Sequence, residues 1–162
     1  MKNRIIPVLI SFFICSMSYA QLTLSSKKAL DLTAKQKNQI YNIINTHEKG
    51  KLDNLVVSNG ILQKIHEYGD YGPYMDGQTI IVNKSGIVIQ YEIVQEPRNK
   101  SLGDSNYKYR DVTGYTYFIP DDKSKVYFSY TMRFGFPPSY GGAAKTTNIS
   151  DWQIKILKLI KK

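Results

Sequence analysis

Two strictly alternating runs dominate the second half of the chain. Tyr115, Tyr117 and Ile119 alternate with Thr116 and Phe118, and Val126, Phe128, Tyr130, Met132 and Phe134 alternate with Tyr127, Ser129, Thr131 and Arg133. Pro120-Asp121-Asp122-Lys123-Ser124-Lys125 separates them and is rich in turn formers. A period of two on both sides of such a cluster predicts an antiparallel hairpin with one buried face. Upstream, Tyr107, Tyr109 and Val112 begin a similar run that leads through Gly114, a candidate bulge. Thr79 to Asn83 and Ile87 to Val94 read as two further strands joined through Lys84-Ser85-Gly86, with Ile87, Ile89, Tyr91 and Ile93 on one face. Leu55-Val56-Val57 and Ile61-Leu62 flank Asn59-Gly60, a pair that favours a two-residue hairpin turn, so a hairpin is expected there, with a helix as the competing reading.

Helical spacing occurs twice. Thr33-Ala34-Lys35-Gln36 matches a capping box, in which a hydroxyl and a carboxamide satisfy free N–H groups at a helix start. Ile40, Ile43, Ile44 and His47 follow at spacings of three and four, with Gly50 as a stop. Ser150-Asp151-Trp152-Gln153 repeats the box near the end, where Trp152, Ile156, Leu159 and Ile160 share one face and Lys155, Lys158 and Lys161 the other. Residues 21–32 show little pattern and read as an extended lead-in, and 135–148 as a loop broken by Pro137 and Pro138. The expected fold is α+β: an antiparallel sheet of about five or six strands packed against an N-terminal and a C-terminal amphipathic helix.

The first 20 residues change where this domain is expected to work. Lys2 and Arg4, an apolar run from Ile5 to Ile14, and Ser18-Tyr19-Ala20 follow the order of a secretory signal peptide. The apolar run is too short for a span, which needs about 20 residues. Phe13 and Ile14 are too bulky for lipoprotein processing at Cys15. Cleavage after Ala20 is therefore expected, leaving a single domain over 21–162 that is exported to the periplasm or beyond. Cys15 is the sole cysteine, so the exported chain would hold no disulfide, no thiol nucleophile and no cysteine metal site.

Charge narrows the partners. The formal net charge is +9. From Gln21 to Leu52 six lysines stand against Asp31 and Glu48, and from Ile149 to Lys162 four stand against Asp151, while 53–148 balances ten basic residues with ten acidic ones. The excess sits at the two ends and the sheet-forming middle is neutral, which argues against nucleic acid.

Catalytic motifs are few and incomplete. Two histidines without an HExxH leave zinc without an obvious site. Acidic pairs such as Asp70 with Asp76 or Glu92 with Glu96 carry no signal of facing each other across a cleft. Ala144-Lys145-Thr146 lacks the P-loop glycine, and Ser25-Ser26-Lys27-Lys28 lacks the companion motifs of serine-x-x-lysine enzymes. No GxSxG elbow occurs. Neither a cofactor nor a metal is implied, and an enzyme is the weaker expectation.

Thirteen tyrosines remain to be explained. Tyr71, Tyr74 and Tyr140 fall in Gly/Pro-rich segments, and Tyr127 is assigned to the outward face of the hairpin beside Arg133. Tyrosine and arginine suit binding surfaces because they bury area at low entropic cost and keep a polar tip. The leading expectation is an exported, non-catalytic binding protein of inhibitor or immunity type, acting on a protein partner in the cell envelope through Tyr71, Tyr74, Tyr127, Arg133 and Tyr140. A second expectation is contact with anionic lipid or lipopolysaccharide through the lysine-bearing ends. A third is a small hydrolase that uses His66 with an acid from the 66–77 loop.

Overall fold

The computed structural model describes residues 22–67, 78–94, 111–134, 139–141 and 144–161. In chain order the elements are β1 (Leu22–Ala29), α1 (Ala34–Asn45), β2 (Lys51–Glu67), β3 (Gln78–Val94), β4 (Asp111–Pro120), β5 (Val126–Phe134), β6 (Ser139–Gly141), β7 (Lys145–Thr147) and α2 (Asp151–Ile160). The strands form one antiparallel sheet ordered β1-β2-β3-β4-β5-β6, with β7 also paired to β5. The architecture is α+β.

The hairpin expected over Tyr115 to Phe134 forms, extended back to Asp111, with Thr116 opposite Ser129 and Phe118 opposite Tyr127. Its turn is closed by Lys123 N donating to Pro120 O at 2.9 Å, and Lys123 takes a positive φ of 52°. Asp122 braces it, accepting from Ser124 N at 3.0 Å and from Lys84 Nζ at 2.7 Å.

Two expected turns are not turns. Asn59-Gly60 lies inside β2, with Asn59 opposite both Lys28 and Ile87 and Gly60 opposite Gly86. Lys84-Ser85-Gly86 likewise lies inside β3. A hairpin turn at either place would cost β2 and β3 ladder bonds on both sides, and that outweighs a local turn preference. The glycines serve close approach instead. A Cβ at Gly86 would strike Ile119 O and come within 2.8 Å of Pro120 Cα, and one at Gly60 would sit 3.0 Å from Val88 Cγ2. Bulges follow at Asp53/Val56 and Leu62/Lys64, where Asn54 and Asn83 have φ near 49° and 48°. These irregularities bend the long strands, and β1 comes round to approach β5 although the two are not neighbours in the sheet.

Further expectations need correction. Residues 22–29, expected as a patternless lead-in, form an edge strand in which Leu22 and Leu24 alone face apolar neighbours. The 135–148 loop contains β6 and β7. Gly114 sits in unbroken register between Glu92 and Thr131, so it is not a bulge. The first helix ends at Asn45, which leaves His47 exposed beyond its last turn rather than on its apolar face.

Both faces of the sheet hold apolar clusters. Ile40 and Ile44 of α1 and Ile156 and Leu157 of α2 share one with Val57, Ile89, Tyr91, Ile93, Ile119 and Val126. The opposite face buries Leu62, Val88 and Phe118, flanked by Leu22, Leu24, Val82 and Tyr127. The Thr33 capping box forms in both directions, with Gln36 N to Thr33 Oγ1 at 3.2 Å and Thr33 N to Gln36 Oε1 at 3.0 Å. In the second box Ser150 N donates to Gln153 Oε1 at 2.9 Å.

Candidate functional site

Because the alternation of β3, β4 and β5 sends odd positions of β3 and β4 and even positions of β5 to one face, their aromatic residues meet there. Tyr91 lies 5.3 Å from Tyr115 and 6.0 Å from Tyr117, centroid to centroid. Tyr117 in turn stacks on Phe128 at 5.5 Å and receives Trp152 edge-on at 5.2 Å and 86°. His47 closes the series 6.0 Å from Trp152. A continuous run of rings therefore crosses three strands and reaches the end of α1 and the start of α2. Edge-on and offset pairs at these separations suit the ring quadrupoles and add about 0.5–1.5 kcal/mol each beyond area burial.

Glu48 anchors the run. It follows α1 directly, and its Oε1 accepts the Tyr91 hydroxyl at 2.8 Å. Burial, then the neighbouring Tyr117 and Glu48, push the Tyr91 hydroxyl far above the ordinary phenol range. Burial pushes Tyr117 up to about 12. Tyr115 is raised as well, first by burial and then by the Glu48 charge. None of the three supplies a phenolate near neutral pH. What they offer is rigid, amphipathic ring surface: Tyr91 is 2% exposed, whereas Tyr115, Tyr117, Phe128, Tyr130 and Trp152 are half-buried and His47 is exposed.

The residues expected from sequence are dispersed. Tyr71 and Tyr74, with the 68–77 loop that carries them, lie outside the described residues. Tyr140 is opposite Met132 in the β5–β6 pair, and Arg133 is opposite Val112 and Ser139. Tyr127, expected on an outward face, is half-buried on the sheet face away from the helices, 6.3 Å from Phe118. His66 Nδ1 is 2.8 Å from Thr79 Oγ1 on the neighbouring strand; of the loop acids expected to work with it, Glu67 ends β2 opposite Gln78, while Asp70 and Asp76 lie outside the described residues. Among the described residues no three His, Cys, Asp or Glu side chains come together as a metal would require.

The face that carries Phe118 also bears a polar row. Lys27 Nζ reaches Gln90 Oε1 at 3.4 Å, Gln90 Nε2 donates to Thr116 Oγ1 at 3.2 Å, and Asn54 Nδ2 donates to Glu92 Oε2 at 2.7 Å. These bonds link β1 to β3, β3 to β4 and β2 to β3, so they hold the sheet together.

By sequence alone Tyr91, Tyr115 and Tyr117 read as buried strand positions and Trp152 as part of one helix face, so the aromatic run does not show there. The shared parity of the tyrosines was visible, but their convergence on Glu48 and Trp152 depends on where two distant helices end. No protein family, curated protein or solved structure matches the chain.

Proposed function

We propose that the protein is an exported, non-catalytic binding protein that engages a protein partner in the cell envelope through the aromatic run from Tyr115 to His47. The observation that supports this most directly is the half-exposed, mutually packed set Tyr115, Tyr117, Phe128, Trp152 and His47. Rings already fixed by their neighbours lose little entropy when a partner covers them, and aromatic anchors of that kind dominate many protein interfaces. In this reading the two helices are a rigid cover on one sheet face, and their ends frame the binding surface. Tyr71, Tyr74 and Tyr140, expected from sequence to bind the partner, are tested beside the run, whereas Tyr127 lies on the opposite face of the sheet and takes no part in it. Export follows from the signal-like order of residues 1–20.

The test compares capture of envelope proteins by the parent chain, by Tyr115→Ser with Tyr130→Ser, and by Tyr71→Ala with Tyr74→Ala and Tyr140→Ala. A specific captured protein that is lost with the first pair while circular dichroism stays unchanged supports the aromatic run. Loss with the triple variant alone moves the site to the loops. Undiminished capture by both variants rejects the reading.

A further inference from the structure

The lysines that lie at opposite ends of the sequence become neighbours in the fold. Helices α1 and α2 pack against each other, and Gln36 Nε2 of α1 donates to Leu159 O of α2 at 2.8 Å. Between them runs a shallow groove of about 380 Å³ lined by Gln39, Asn42, Ile43, Lys155, Lys158 and Leu159. Lys35, Lys37, Lys155, Lys158 and Lys161 are all exposed on this pair. Against them α1 carries no acid and α2 only Asp151.

We infer that this helix pair is a docking face for an anionic phospholipid surface. The helices carry lysines opposed by a single acid, Asp151, whereas charge is balanced over 53–148, so the protein has a basic side that would turn toward an anionic plane. The groove brings half-buried Ile43 and Leu159 together with exposed Lys155 and Lys158. Apolar side chains flanked by long cationic ones match the boundary between headgroups and acyl chains, because lysine can lay its stem along apolar surface and raise its ammonium to a phosphate. The groove is open rather than enclosed, which suits a broad surface better than a small ligand. This inference concerns a different surface and a different ligand class from the aromatic run, and either can fail without the other.

The probe is co-sedimentation of the full chain with vesicles of phosphatidylcholine alone or mixed with phosphatidylglycerol. The apolar segment 5–14 would contribute to both, so the readout is the difference between them. The parent chain should prefer the anionic vesicles, and the preference should collapse as salt rises from about 0.05 to about 0.5 M, where the screening length falls to a few ångström. Each lysine near the surface contributes about 1 kcal/mol, so Lys155→Gln with Lys158→Gln should lower anionic partitioning about 25-fold. Lys123→Gln with Lys125→Gln, which removes equal charge from the β4–β5 turn, should lower it by less than about threefold. Equal losses in the two variants, or no preference for anionic lipid, would overturn the inference. Binding to soluble polyglutamate without binding to vesicles would also overturn it and assign the face to an acidic polypeptide.

Discussion

Ile156 is the sharpest test of how α2 is held. Its side chain is fully buried, in one cluster with Ile40 and Ile44 of the other helix and Ile89 and Ile119 of the sheet. Ile156→Ala removes three carbons, worth about 0.8 kcal/mol each in transfer free energy, or roughly 2.4 kcal/mol. The residual cavity adds about 24 cal/mol per Å³ that the surroundings fail to close, and measured costs for such truncations span about 2–5 kcal/mol. Alanine returns about 0.4 kcal/mol through helix propensity. The expected net loss is about 3 kcal/mol, or about 6–12 °C in Tm at about 2–4 °C per kcal/mol for a chain of this size. Leu159→Ala, at the half-buried groove, should cost less than half as much. Urea unfolding followed by circular dichroism and by fluorescence checks both, since Trp152 is the single tryptophan and sits against Tyr117. A loss below about 1 kcal/mol with an unchanged urea slope would refute the docking of α2 in the core.

Three more outcomes follow from the geometry. Gly86→Ala should cost about 3 kcal/mol and Gly60→Ala about 1 kcal/mol, because the new methyl meets the fixed Ile119 carbonyl in one case and a movable Val88 methyl in the other; equal costs in urea would contradict this. Tyr117 titrates at about 12 and Tyr91 above that, so both are raised over the ordinary phenol value of about 10. Their contribution is therefore intact below about pH 10 and falls as pH rises through the folded values, and Tyr91→Phe should blunt this alkaline loss of stability in urea titrations at successive pH values. Lys84 holds Asp122 well below the usual carboxylate range, and Lys84 is itself raised. The pair thus contributes above about pH 4, and the advantage of the parent chain over Asp122→Asn, read as the difference in urea midpoints, should shrink as pH falls below that value and as salt rises.

Local pattern was enough to specify the elements whose signal lies within one segment. The 111–134 hairpin was legible because its period of two and its turn chemistry agree, and both helices were legible because a capping box precedes apolar residues at helical spacing. The faces of single strands also follow from alternation, which groups Tyr91 with Ile87, Ile89 and Ile93, and Tyr115 with Tyr117 and Ile119; that the two sets share one side is set by the β3–β4 register. Segments whose state depends on distant partners were misread. Asn59-Gly60 and Lys84-Ser85-Gly86 carry turn chemistry, yet the first is held extended between β1 and β3 and the second against β2, with Gly86 also opposite Pro120 of β4, and their glycines admit a close backbone approach that no local preference records. β1 is an edge strand with too few apolar side chains to announce itself, and exists because β2 offers it a ladder. The same physics governs the candidate surfaces. Sequence supplied the tyrosines, Glu48, Trp152 and two separate groups of lysines, but ring contacts and a shared basic face arise only when 3D packing brings the end of α1 to the start of α2.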